Sequence, residues 1–319
     1  MRVLVWHVHG SWANAFVRGG HDYLLPVTPE RDADGRGRAD TWQWPDNVRE
    51  VPVERLREAE VDVMVLQRPE ELELAERWTG RRPGVDVPAV YVEHNTPPAP
   101  FASHPLADRR DIPLVHVTHF NRQMWDTGDA PVRIVEHGVP DPGYRYTGEL
   151  ARAAVVINEP ARRGRPVGAD LVPGLGVPTD LFGMNVGPLA GGSVTAIENP
   201  PQHRLHDELA RRAVYVHPYR WTSLGLSLIE AMMLGMPVVA LDCTEASRAV
   251  PPGAGCLTND VAELRREIAS LVADRDLARS MGRAARDAAL DRYGLDRFLA
   301  DWDDVLATAL HERRTTVPA

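Results

Sequence analysis

The chain has 319 residues, 44% of them hydrophobic and 25% charged, with a formal net charge of −9 at pH 7. That length accommodates two domains with sizeable cores, and an acidic balance without a basic stripe speaks against a nucleic-acid binder. All 36 basic residues are Arg, which excludes a Schiff-base or P-loop lysine and leaves phosphate to Arg, His or backbone amides.

"RVLVWHV" (2–8) predicts a buried first strand, "HGSWANAF" (9–16) a loop entering a short helix, and "GGHDYLLPV" (19–27) a second strand. Residues 28–50 are polar and rich in Gly, Asp and Arg, and are expected to form a long excursion. "VDVMVLQ" (61–67), "VPAVYVEHN" (87–95), "IPLVHVT" (112–118) and "VRIVEHG" (132–138) predict strands, with helices at 69–78 and 119–126. The pattern restarts with "AAVVIN" (153–158) and an Arg cluster, followed by strands at 180–186, 193–199 and 213–218 and a helix at 203–212. A helix over 224–234, a strand over 237–242 and three helices over 261–274, 275–293 and 295–313 complete it. Only the tail after about 313 is expected to be disordered. Strands alternating with helices in both halves predict two doubly wound parallel sheets, with sites at the carboxyl ends of the strands. The Pro/Gly/Tyr stretch "GVPDPGYRYTGE" (138–149) is the natural boundary, and a small-molecule site is expected in a cleft between the halves.

The start "MRVLVWHVHG" has no signal-peptide core, and no stretch has 18 uninterrupted apolar residues, so a cytoplasmic protein is expected. Cys243 and Cys256 are too few for a disulfide scaffold and fit no zinc spacing; they are expected to be reduced core thiols.

"RWTSLGLSLIEAMMLGMPVVAL" (220–241) places a carboxylate, Glu230, in an apolar helix. Thr222 or Ser223 is expected to cap that helix, and Gly235 suits its left-handed end. Ser223, Ser227 and Glu230 then share one face, while Leu226, Leu228, Ile229, Met232 and Met233 cover the others. Gly225 would let a phosphate approach the first-turn amides, and a carboxylate two turns further in accepts hydrogen bonds from a ribose diol. The plainer alternative is a Glu at a rim, paired with an Arg.

"WTSLGLSLIEAMMLGMPVVA" resembles the signature of the retaining glycosyltransferases of family 4 (group 1), whose pattern is Glu, seven residues, Glu, then a Gly-x-Pro-Val-Val strand. Glu230 matches the second Glu and "GMPVVA" (235–240) the strand, whereas Thr222 replaces the first Glu, Ser223 the first Gly and Leu224 the Phe. "VTHFNRQMWD" through "VRIVEHGVPDP" (117–142), "INEPARRG" (157–164) and the terminal helices (278–302) are also similar to the family; the first 90 residues match only in layout. The resemblance implies the GT-B fold, two Rossmann-like doubly wound parallel-sheet domains facing a central cleft. It implies an acceptor-side domain over 1–145, a nucleotide-sugar domain over 146–295, and a helix over 296–319 that returns to the first domain and ends in the tail.

By resemblance, Glu230 binds the ribose and Thr222 stands where a donor-sugar ligand would be. Ser223 belongs to the donor site, the backbone amides of Leu224, Gly225 and Leu226 receive phosphate, and Arg163 replaces the pyrophosphate-neutralising Lys, assisted by Arg162 or Arg165 because Asn158 falls where the family has Arg. His94 matches a His facing the reacting sugar, and Gly10 and Ser11 occupy the turn that approaches the donor phosphates and the acceptor. The implied activity is a retaining, metal-independent hexosyl transfer from a UDP- or GDP-sugar, used as substrate with no cofactor. The acceptor hydroxyl belongs to a glycan, lipid or small molecule, and no nucleic-acid partner is expected. Membrane contact, if any, is weak and peripheral. The pairs His203/His206 and His116/His119 have ligand-like spacing but no third ligand. Two alternatives stay open: a sugar-nucleotide epimerase of the same fold, using Glu93, Glu136 or Asp141, and a catalytically inactive transferase-like partner subunit, which Thr222 favours.

Overall fold

The computed structural model describes residues 1–316, so the last three residues of the expected tail lie outside the described residues. Two compact units divide the chain, one formed by Met1–Gly138 with the segment from Leu295 onward, the other by Val139–Gly294.

The first unit opens with β1 (Arg2–Val5), α1 (Gly10–Phe16), β2 (Asp22–Val27), β3 (Val48–Pro52), β4 (Val63–Leu66) and α2 (Glu70–Thr79). It continues with β5 (Ala89–Glu93), β6 (Leu114–His116), α3 (His119–Met124) and β7 (Val132–Ile134). All seven strands are parallel, in the order β3-β2-β1-β4-β5-β6-β7. β4 and β5 are buried along their whole length, as near-continuous apolar runs in a parallel sheet must be. One face carries Leu4, Met64, Leu66 and Tyr91 into a core shared with Leu74 of α2. Trp12 and Phe16 of α1 stack at 4.8 Å and meet Phe298 and Trp302 of the closing helix, Leu295–Thr316, which also packs on β4 and β5.

The expected excursion over 28–50 ends in a strand, because β3 begins at Val48. β3 pairs only with β2, so its outer edge is free to carry Arg49 and Glu50 and its last residue to be Pro52. Charged, Pro-containing edge strands lack the apolar run that marks the central ones. The closing helix reaches Thr316, past the point where the tail was expected to begin.

The second unit comprises β8 (Leu150–Val156), α4 (Pro160–Arg163), β9 (Thr179–Gly183), β10 (Val194–Glu198), α5 (Gln202–Arg211) and β11 (Arg212–His217). α6 (Leu226–Met233), β12 (Val238–Ala240), α7 (Ala246–Ala249), β13 (Gly255–Leu257), α8 (Val261–Ala273) and α9 (Arg275–Tyr293) follow. Its six parallel strands run β10-β9-β8-β11-β12-β13. β13, a three-residue edge strand, is too short to show any period in the sequence. Gly235, at φ +84°, ends α6 in the left-handed region and turns the chain directly into β12. α8 and α9 cover the sheet through Leu264, Ile268, Ala278, Ala285 and Ala289, all fully buried.

Candidate functional site

In each sheet the strand order reverses between two neighbours, β1 and β4 in the first and β8 and β11 in the second. Loops that leave the carboxyl ends of such strands diverge to opposite faces and open a crevice.

In the second unit, the connection after β8 carries Arg162 and Arg163 in the short helix α4, and the loop after β11 carries Tyr219 and residues 221–225. The Tyr219 hydroxyl donates to the Val156 carbonyl at 2.9 Å, which pins the two loops together. The Arg163 guanidinium lies 5.9 Å from the centre of the Tyr219 ring. Burial pushes the Tyr219 hydroxyl up to about 12, against the pull of Arg163. Arg162 is paired with Glu159, whose carboxyl it holds below the usual range. Asp170 engages Arg165 at 3.1 Å and Arg220 at 2.6 Å. Arg163 has no carboxylate at ion-pair distance among the described residues, so its charge is the one this loop can give to a ligand. Asn158 accepts from the Met184 amide at 3.0 Å and so braces the turn after β9.

α6 begins later than expected. Neither Thr222 nor Ser223 caps it; Gly225 holds the N-cap position with extended backbone (φ −72°, ψ 119°) and no side-chain cap. The Thr222 hydroxyl is buried with no hydrogen-bond partner among the described residues. Ser223 and Leu224 are buried, and Leu226 opens the helix. Gly225 has a reason beyond ligand approach: a Cβ there would lie 2.5 Å from His217 Cε1. His217 ends β11, stacks on Tyr219 at 4.3 Å and is pushed down to about 3 by burial, so it is neutral at pH 7. The uncapped first-turn amides of α6 therefore stand beside a neutral aromatic wall, and they favour an anion.

Glu230 is 4% exposed and lies about 6 Å along the axis from Leu226. Its Oε1 accepts from Gln202 Nε2 at 2.9 Å, and its Oε2 lies 3.5 Å from His206 Nε2. Ser227, one turn earlier on the same face, accepts from the Tyr215 hydroxyl at 2.9 Å. Gln202 is a neutral donor to this buried carboxylate, a partner that a ligand's hydroxyls can exchange with. Sequence reasoning missed Gln202, Tyr215, His217 and Tyr219, and considered His206 only as a metal ligand. The alternation of rings in "YVHPY" (215–219) along one strand face was the available signal.

In the first unit, His94 follows β5 and His9 precedes α1; their rings lie 4.1 Å apart, and Trp12 abuts His94 edge-on at 5.0 Å. Burial, then the neighbouring His9 and His137, hold the His94 imidazole well below its ordinary range, so it is neutral at pH 7. His137 is held at about 3 by burial and by His9 and Arg297. Gly10 and Ser11 form the first turn of α1, as expected for the turn after β1. The structure thus gathers His94, Gly10 and Ser11 at the strand ends of one sheet. Arg163, Thr222, Ser223, Leu224, Gly225, Leu226 and Glu230 gather at those of the other, with Arg162 turned to Glu159. Among the described residues no group of three or more His, Cys, Asp or Glu is placed to hold a metal ion, and no helix is long and apolar enough to cross a membrane.

Residues 189–288 match the family described as glycosyl transferases group 1. No curated protein matches in sequence. Among solved structures, sucrose-phosphate synthase from Thermosynechococcus elongatus is 13% identical at a TM-score of 0.69, over 98% of this chain and 100% of that one. Anabaena HepE in complex with UDP is 13% identical at a TM-score of 0.66, over 97% of this chain and 100% of its own. TarM from S. aureus, in a complex that includes UDP, is 15% identical at a TM-score of 0.63; the match covers 76% of this chain and only 55% of TarM. At such identities the likeness is one of fold: two Rossmann-like parallel-sheet units of seven and six strands, as in GT-B glycosyltransferases.

Proposed function

We propose that the chain is a retaining glycosyltransferase that moves a sugar from a UDP- or GDP-sugar to an acceptor hydroxyl, without a metal ion. The observation that carries this reading is the placement of Arg163, the uncapped start of α6 and Glu230 around one sheet's switch point. Cation and helix amides suit a pyrophosphate, and the carboxylate about one turn on suits a ribose diol. The group 1 match over 189–288 spans this helix.

The chemistry follows from those groups. As the glycosidic C–O bond breaks, negative charge grows on the departing diphosphate. Arg163 and the amides of Leu226 and Ser227 meet that charge with preorganised donors. The acceptor hydroxyl attacks from the face the diphosphate leaves, and its proton passes to a diphosphate oxygen. The new bond therefore keeps the anomeric configuration, and no carboxylate dyad is required. By resemblance, His94 serves at the sugar; its neutral ring then offers a hydrogen bond without a second charge. Thr222, short and neutral, cannot hold two sugar hydroxyls as a carboxylate does, which favours a donor sugar with fewer hydroxyls at that position. Incubation with UDP- and GDP-sugars and NMR of the product's anomeric proton tests the reading. An α-linked product from an α-donor is expected; inversion would refute the mechanism, and a 2-epimeric nucleotide sugar without transfer would favour the epimerase.

A further inference from the structure

The excursion between β2 and β3 is not a loose loop. It frames a solvent-open pocket of about 590 Å³ at the carboxyl end of the first unit's sheet, within the range of small-molecule sites. Two indoles form its apolar wall. Trp44 donates from Nε1 to the Ala39 carbonyl at 3.0 Å and sets its ring edge-on to His7 at 4.9 Å. His7 is itself tied to the Gly37 carbonyl at 2.9 Å. Trp42 lies so close over Gly10 that a Cβ there would stand 2.7 Å from its Nε1, so this wall abuts the turn after β1.

The polar wall is guanidinium. Arg31 makes two 2.8 Å hydrogen bonds to Glu50, which also accepts the Arg38 amide at 2.7 Å. That pair neutralises itself and locks the excursion onto β3. The Arg36 and Arg38 guanidinium groups have no carboxylate at ion-pair distance among the described residues. Set against Asp40, they leave one net positive charge in the lining of a chain whose own net charge is −9.

Indole faces take the flat apolar side of a ring, and guanidinium forks take a carboxylate. We infer that this cavity is the acceptor subsite, and that the acceptor is a flat-faced monoanion: a sugar acid or an aromatic carboxylic acid bearing the hydroxyl to be glycosylated. This rests on the transferase reading and names the half of the reaction that the sequence signature leaves open.

The test is calorimetric titration of the full chain with glucuronic acid against glucose, with 4-hydroxybenzoic acid against its amide, and with inorganic phosphate. Wild type is compared with an Arg36→Gln/Arg38→Gln variant and with Trp42→Ala. We expect one acid to bind about tenfold or more tighter than its neutral counterpart, with parity in the Arg variant and weaker binding of both members in Trp42→Ala. Which pair discriminates identifies the ring. Equal binding of acid and neutral forms in wild type, an unchanged preference in the Arg variant, or tighter binding of inorganic phosphate than of either acid would each overturn the assignment. UDP and GDP are titrated into the same samples. Their binding with no acid preference refutes the subsite alone; an acid preference without nucleotide binding refutes the acceptor role through the transferase reading. Both arginines are exposed, so unchanged thermal unfolding of the double variant confirms that the comparison is one of binding.

Discussion

Gly225→Ala tests whether the start of α6 is built against His217. The substitution adds one methyl, which an ideal geometry places 2.5 Å from His217 Cε1 and 3.2 Å from Nε2. Gly225 has φ −72° and ψ 119°, open to any residue, so the backbone itself contributes no strain. Carbon atoms in contact prefer about 3.5–4.0 Å, so the helix start and the ring must separate by about 1 Å. The ring cannot retreat easily, because it is 3% exposed and lies 4.3 Å from Tyr219. Overpacking of this kind costs about 1–3 kcal/mol, and at about 2–4 °C per kcal/mol for a domain of this size the melting temperature should fall by about 2–12 °C. Displaced helix amides should also weaken UDP or GDP binding by about tenfold. Gly187→Ala, where an added Cβ meets nothing within 4 Å, is the control. Thermal unfolding and nucleotide titration of both variants read the result. A melting temperature and affinity as little changed in Gly225→Ala as in the control would refute the argument.

Arg163→Ala should lower turnover by about 10²-fold or more, the scale of losing one preorganised donor to a developing oxyanion; steady-state kinetics near wild type would remove it from the site. Thr222→Glu should change the ranking of donor sugars in a competition assay while the protein stays folded, and an unchanged ranking would mean that Thr222 does not touch the sugar. The contribution of three buried histidines to the pH dependence of stability has a definite sign. Burial lowers His116, His137 and His217 to about 3, whereas the unfolded chain titrates near the ordinary value of about 6.5. Between these values these three histidines bind more protons in the unfolded state, so their contribution to stability falls as pH drops below about 6.5 and levels off near 3. The His116 ring has no hydrogen-bond partner on either nitrogen among the described residues, so His116→Leu should cost little at pH 7. It should also flatten that slope by up to about 1.4 kcal/mol per pH unit, measured by urea unfolding at several pH values; an unaltered slope would show that His116 protonates in the folded state.

The central strands and long helices were legible because a buried parallel sheet demands near-continuous apolar runs: "VMVL" is wholly apolar, and "AVYVE" is interrupted only by its terminal Glu93. β3 and β13 were not, since an edge strand paired on one side can carry Arg, Glu and Pro or shrink to three residues. Glu230 stood out as a carboxylate inside an apolar helix. What holds it did not, because Gln202 and His206 sit on α5, and a helix packed alongside leaves no mark on the sequence of its neighbour. The cap of α6 was misplaced for a similar reason. Thr222 and Ser223 have the chemistry of caps, but Gly225 must stay close to His217, and that contact sets where the helix begins. The Trp-lined cavity was hidden in a segment whose composition reads as a solvated loop, because the Arg31–Glu50 clamp joins residues 19 positions apart.

The central claim is a nucleoside-diphosphate site built from Arg163, the start of α6 and Glu230. Its most direct test is calorimetric titration of wild type and Glu230→Ala with UDP, GDP and ADP. The account predicts that one nucleotide binds and that the variant loses about 3 kcal/mol, about 10²-fold, for two charge-assisted hydrogen bonds to the ribose. Binding of no nucleotide by the folded wild type, or equal affinity in the variant, would contradict it.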